Sequence, residues 1–248
     1  MSIWRLEWLR LFRTRRWIGL AAAYVLFGFL GPILTRYQEA IFRRVGGGIT
    51  VIVPPPSAGQ AIGSYVDNAG QIGLLVAIVV AAGSLGFDAH PEWAAFLRTR
   101  VSGMGSLVMP KFTVNVIAVA AAFMLGMLAA WYETVVLIGN VDPPALLAGI
   151  AYGWIYLAFS VAVVALCAGL ARSVVGVVAI ALSVLIGLPI LGQVGVLTSW
   201  LPSALVGAPV RLVEGASASS FLRAAGVGTV ATVAALWAAG RLLARREI

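Results

Sequence analysis

Charge is what this sequence has least of. Asp, Glu, Lys and Arg together make up 10% of its 248 residues, against roughly 25% in a soluble globular domain. Hydrophobic residues make up 61%, and the mean hydropathy is +1.01. A soluble fold of this length has too little interior to hide so much apolar surface. The solvent for most side chains is therefore a lipid bilayer. Lysine, histidine and cysteine each occur once, as Lys111, His90 and Cys167. A single cysteine excludes an intramolecular disulfide and any multi-cysteine metal centre; within an apolar run, Cys167 reads as packing. No G-x-x-x-x-G-K-[ST] loop is present, so the chain has no such cradle for ATP. No H-E-x-x-H or comparable ligand spacing marks a metal site either. The expectation is a chain that is not itself an enzyme and binds no cofactor or metal of its own.

Positive charge is in excess, at a net +8, and sixteen of the seventeen basic residues are arginine. They stand in short clusters between apolar runs rather than along one soluble face. This is the pattern of basic loops retained on the cytoplasmic side, not of a nucleic-acid surface.

Apolar runs long enough to cross a core about 30 Å thick fall at residues 17–34, 69–87, 112–132, 146–168, 174–193 and 224–243. The fold class expected is an all-α integral membrane protein with six transmembrane helices in a single domain over residues 1–248. Pro189 and nearby glycines predict a kink or break in the fifth span. With a cytoplasmic N-terminus, that side receives Arg5, Arg10, Arg13, Arg15, Arg16, Arg98, Arg100, Lys111, Arg172, Arg241, Arg245 and Arg246. The opposite side receives Arg36, Arg43, Arg44, Arg211 and Arg223. This asymmetry places both termini inside. As drawn, the six spans hold no Asp, Glu, Lys or His. A secondary transporter commonly keeps an ionisable group at depth, and a membrane hydrolase needs a nucleophile and base within reach of each other; neither pattern is visible.

Residues 1–16, "MSIWRLEWLRLFRTRR", put Trp4, Trp8, Leu11 and Phe12 on one helical face, while most of the arginines, Arg5 and Arg10 among them, point elsewhere. That composition predicts an amphipathic helix lying in the headgroup region. A cleaved signal fits less well, because Ala21, Ala22 and Ala23 lie inside the apolar stretch rather than after it. Residues 35–68, with "GGGITVIVPPPSAG", and 194–223 are expected as extracytoplasmic or re-entrant segments.

Residues 88–110 form the loop between the second and third spans, and polarity gathers there: "FDAHPEWAAFLRTRVSG". Asp88 is placed to cap a short helix beginning near His90 or Pro91. Glu92 sits near its N-terminus, where negative charge is favoured, and Arg98 and Arg100 at the far end. Trp93, Phe96 and Leu97 share one face. His90 on its own reads as a polar surface residue rather than a catalyst. The expected product is an amphipathic helix that projects from the bilayer toward a partner or lies on the membrane surface.

This layout resembles the permease subunit of a type-2 ATP-binding-cassette (ABC) exporter. The resemblance is carried by the basic helix at 1–16, the six spans, "PPPSAGQAIGSYVDNAGQ" and "AAGSLGFDAHPEWAAFLRTRVSGMGSLVMPK". In that family this loop carries an acidic residue, a short coupling helix, a basic turn and a cation opening the next span. Asp88 and Glu92, residues 91–98, Arg100 and Lys111 stand in those places. The family's small Gly–Thr pair after the acid is replaced here by "WAAF". The resemblance implies two permease chains, identical or sister, with two ATP-binding subunits beneath. ATP and magnesium would sit on those subunits, which grip Asp88, His90, Glu92, Trp93, Phe96, Leu97, Arg98 and Arg100. It further implies a multi-pass protein of the bacterial cell (inner) membrane, in contact with its lipids. The apolar spans point to export of a hydrophobic or amphipathic substrate, such as a drug or lipid. Two other readings remain at this point. A self-sufficient carrier or channel would rely on Asn115, Ser160, Ser183 or Gln193, and a membrane scaffold or assembly factor would transport nothing.

Overall fold

The computed structural model describes residues 3–45, 55–86, 105–193, 195 and 197–245. Among these the chain is helical, without strands. Six helical stretches are long and apolar enough to cross a membrane: Arg16–Ile41, Ala58–Leu85, Leu107–Leu137, Pro143–Leu170, Val174–Leu191 and Ala218–Arg245.

A short helix α1 (Ile3–Arg13) comes first. It turns at Arg15, whose φ of 54° is left-handed, into α2 (Arg16–Val45). The second candidate span is built from α3 (Ala58–Asn68), one π-helical turn (Ala69–Gly73) and α4 (Leu74–Leu85). Then follow α5 (Gly105–Leu137), α6 (Pro143–Leu170) and α7 (Val174–Leu191). Short 3-10 turns at Pro202–Leu205 and Ala218–Phe221 flank α8 (Ala208–Val213), and α9 (Leu222–Arg245) closes the bundle.

Helix starts follow local chemistry. Ser57, directly after three prolines that cannot continue a helix, accepts a hydrogen bond from the Gln60 amide at 3.1 Å. Asp142 does the same for Ala145 at 3.2 Å, and Ser173 for Gly176 at 3.1 Å. Each satisfies one of the amides left over at a helix N-terminus.

Three sequence expectations change here. Residues 35–45 and 58–68 are helical rather than loop, so Asp67 lies within the second candidate span. Lys111 and Glu133 lie within the third, and Arg36 and Glu39 within the first. The helices run beyond the charge-free stretches drawn from hydropathy, which stop at ionisable residues. Finally, Pro189 does not break its helix. It sits in the last turn of α7, where its missing N–H removes only the bond to the Leu185 carbonyl, and the helix runs on to Leu191.

The bundle centres on α6, buried along most of its length, while little of α7 and α9 is buried. Glycines allow the closest approaches. A Cβ on Gly126 of α5 would lie 2.5 Å from the Tyr24 carbonyl of α2, and Gly28 faces Gly126 from the other side. Gly153 receives the Phe123 ring and Gly169 packs toward Leu242, whereas Gly187 and Gly226 face open space. Small residues at such crossings are how membrane helices gain contact without a hydrophobic driving force. Tyr65 completes the centre, donating from its hydroxyl to the Phe123 carbonyl at 2.8 Å. The two ends of the bundle differ. One carries α1, the end of α4 and the start of α5; the other carries the ends of α2 and α7, the start of α3, and α8.

Candidate functional site

Ionisable groups converge at the α1 end. Lys111, in the second turn of α5, is only 5% exposed, as is Glu7 on α1. The Lys111 ammonium lies 3.5 Å from Glu7 Oε1 and donates to the Ser84 carbonyl at 2.7 Å. Ser84 belongs to the last turn of α4, where carbonyls lack intrahelical donors. Lys111 therefore caps α4 with positive charge at the negative end of its dipole. Asn115, one turn further along α5, donates to the Ser84 hydroxyl at 3.1 Å and to the Lys111 carbonyl at 2.7 Å. Three elements meet through four side chains, and α1 is held where α4 ends and α5 begins.

Two further cations border the cluster. Arg10 and Arg16 line the same small crevice as Glu7, Ser84 and Asn115. The Arg16 guanidinium lies against Gly83, at ordinary contact distance from where a Cβ would be. Among the described residues, one carboxylate thus serves a neighbourhood of three cations. A buried pair of this kind adds little net stability over an apolar pair, but loss of one partner leaves the other desolvated without its counter-charge.

The residues expected to form an interfacial helix lie on α1 and differ in burial. Leu11 is buried against the bundle beside Glu7, and Trp8 and Arg10 are half-buried. Trp4, Arg5 and Phe12 are exposed. Trp8 stacks on Phe12 with ring centroids 5.9 Å apart, and Phe12 meets Trp17 at 6.3 Å. Asp88, His90, Glu92, Trp93, Phe96, Leu97, Arg98 and Arg100 all lie outside the described residues.

The polar residues considered for a self-sufficient carrier do not converge. Ser160 donates to the Tyr156 carbonyl and Ser183 to the Ala179 carbonyl, each one turn back in its own helix. Gln193 lies just past the end of α7. Only Asn115 enters a cluster, and there it binds helix ends. Among the described residues, no group of three His, Cys, Asp or Glu is placed to hold a metal ion. Sequence reasoning passed over Glu7 and Ser84. The available signal was a lone acid among five arginines in residues 1–16, matched to the chain's one lysine.

No protein-family model matches the chain, and no curated protein matches it significantly.

Proposed function

We propose that this chain is the membrane-spanning permease subunit of a type-2 ABC exporter, working with a separate ATP-binding subunit. The observation that carries this reading is the Glu7–Lys111–Ser84–Asn115 cluster. It joins the N-terminal helix to the end of α4 and the start of α5, which flank residues 87–104. A force applied to residues 87–104 reaches the end of α4, the start of α5 and, through the ion pair, α1. Such a junction suits a chain that receives mechanical work from outside the bilayer, as coupled rigid-body movement requires. Six apolar helical stretches without a phosphate-binding loop are consistent with energy supplied by a partner.

In this reading two permease chains, as a homodimer or with a sister subunit, form the pathway. Two partner ATPases hold ATP and magnesium and grip the residues between Asp88 and Arg100. The exposed Trp4 and Phe12 rest α1 in the headgroup region of a bacterial cell membrane, with both termini cytoplasmic. The cargo is hydrophobic or amphipathic.

The test is a gentle detergent pull-down of the tagged chain from its native membrane, followed by mass spectrometry. A stoichiometric ATP-binding protein, lost when residues 90–100 are replaced by a flexible linker, supports the reading. A lone chain under conditions that keep other membrane complexes intact overturns it in favour of a carrier or scaffold. Glu92→Ala with Arg98→Ala is expected to abolish transport while leaving membrane insertion unchanged.

A further inference from the structure

The last candidate span, which α9 forms with the turn before it, sorts its residues by size. Toward the bundle α9 turns Ala224, Ala225, Gly228, Ala235, Ala239 and Leu243, all buried. Small residues on such a face let membrane helices approach closely. Away from the bundle stand Leu222, Val230, Val233 and Trp237, each between 61% and 70% exposed. At about 100° per residue these four fall within about one quarter of the helix circumference. Gly226 shares their arc, and a Cβ there would meet nothing within 4 Å.

A cation stands over an aromatic ring at each end of this face. The Arg223 guanidinium lies 5.6 Å from the ring centroid of Trp200, and that of Arg241 lies 3.9 Å from the centroid of Trp237. Both arginines are exposed, and neither pairs with a carboxylate among the described residues. About five turns of 3.6 residues separate them, so they share one side of α9 and stand about 27 Å apart along its axis. The hydrocarbon core of a bilayer is about 30 Å thick. Two cations at that spacing reach the headgroup layers of opposite leaflets, where tryptophan also gathers. A guanidinium stacked on a ring keeps its edge for a phosphate, which it meets with paired N–H donors.

We propose that the outer face of α9 is a phospholipid-binding surface, on which Arg223 and Arg241 each hold a lipid phosphate, in opposite leaflets. Acyl chains lie along Leu222, Val230 and Val233. An anionic headgroup is preferred, because it brings no cation of its own to compete with the guanidinium. A second copy of this chain is the rival occupant of an apolar helix face. Size opposes it, since α9 keeps its small residues for the bundle and turns bulky ones outward. Charge opposes it as well, since phosphates supply the anions that both arginines lack. The inference rests on α9 crossing the membrane and not on the permease reading, so each can fail alone.

The test places a fluorophore beside each arginine of the full chain, in a Cys167→Ala background. Gly226→Cys carries it about one turn from Arg223, and Ala244→Cys about one turn from Arg241 on the same side of the helix. Both positions are exposed. The purified chain is reconstituted in phosphatidylcholine vesicles, and brominated phosphatidylglycerol or brominated phosphatidylcholine is titrated in as quencher. Strong quenching at both positions is expected, with the anionic lipid favoured. Arg223→Gln should lower that preference about fivefold at position 226, which is what roughly 1 kcal/mol per cation beside an anionic membrane amounts to. It should leave position 244 unchanged, and Arg241→Gln should do the reverse. Arg223→Lys keeps the charge and should keep most of the preference. Weak quenching by both lipids means that protein covers the face, and overturns the proposal. Equal quenching by the two lipids overturns it without any arginine variant having to fold, and so does a preference that survives loss of the neighbouring arginine.

Discussion

The two ends of this bundle hold their charges in opposite ways. At the α1 end, Glu7 and Lys111 are both buried and placed against each other, and the lysine also closes a helix terminus. At the α8 end, Asp67 and Glu214 are exposed in a cleft between α2, α3 and α8, each without a counter-charge among the described residues. The first arrangement binds parts of the chain to one another. The second leaves both carboxylates to water. A paired charge in low dielectric specifies one geometry, because separating it is expensive. An unpaired one in an open cleft keeps its hydration and fixes nothing. Charge that builds the fold can thus be told from charge that stays hydrated by whether the chain itself satisfies the group.

The largest expected effect comes from breaking the pair. Glu7→Gln takes from the buried Lys111 the carboxylate 3.5 Å away, and Lys111→Met takes that ammonium from Glu7 and from the Ser84 carbonyl. Each single change should cost about 3–5 kcal/mol, the usual range for removing one partner of a buried pair. Glu7→Gln with Lys111→Met removes both charges and should restore much of that loss. Thermal unfolding in detergent, followed by size-exclusion fluorescence, reads all three. A double variant as unstable as the worse single one would show that the two groups do not neutralise each other.

The sequence makes the middle of the bundle legible and its ends much less so. Residues 146–168 and 174–193 were drawn from hydropathy, and α6 and α7 run Pro143–Leu170 and Val174–Leu191. There lipid sets the rule and composition follows it. The second span was drawn from residue 69, whereas α3 begins at Ala58. Asp67 lowers a hydropathy window, and nothing local tells that a cleft hydrates it. The Ser57 cap after "PPP" was a readable start signal, outweighed by the expectation that prolines mark a loop. Glu7 and Lys111 are far apart in the chain, and no periodicity joins them. Only the packing of α1 on α5 brings them together.

Close packing gives an intermediate effect at the α8 end. A Cβ on Gly149 of α6 would stand 2.6 Å from Pro209 Cα. That atom is backbone and cannot rotate away, so α8 must move. Gly149→Ala should cost about 1–3 kcal/mol, as overpacking does. Gly187→Ala meets nothing within 4 Å. On the exposed face of α7 it should instead stabilise by up to about 1 kcal/mol through helix propensity. Equal melting temperatures for the two variants would mean that α8 is not held against α6.

Removing one hydroxyl has a smaller consequence. Ser84→Ala takes from Asn115 its partner at 3.1 Å, while Asn115 keeps the Lys111 carbonyl at 2.7 Å and Lys111 keeps the Ser84 carbonyl. The expected loss is about 1 kcal/mol, the usual worth of one such bond. A loss as large as that of Glu7→Gln would move the centre of the cluster from the ion pair to the amide.

The smallest effect on stability distinguishes the membrane from water as the surroundings of α1. Phe12 and Arg13 are both exposed in the isolated chain, so burial against protein does not separate them. If α1 lies in the headgroup layer, Phe12 faces acyl chains and Arg13 faces water, because the two point about 100° apart on a helix. Phe12→Cys and Arg13→Cys, each in a Cys167→Ala background, should melt within about 0.5 kcal/mol of each other, as exposed positions do. In proteoliposomes a charged maleimide should modify the cysteine at 13 faster than the one at 12. Equal rates would place α1 in water, leaving Glu7 and Leu11 as its hold on the bundle and removing the bilayer from the account of that end.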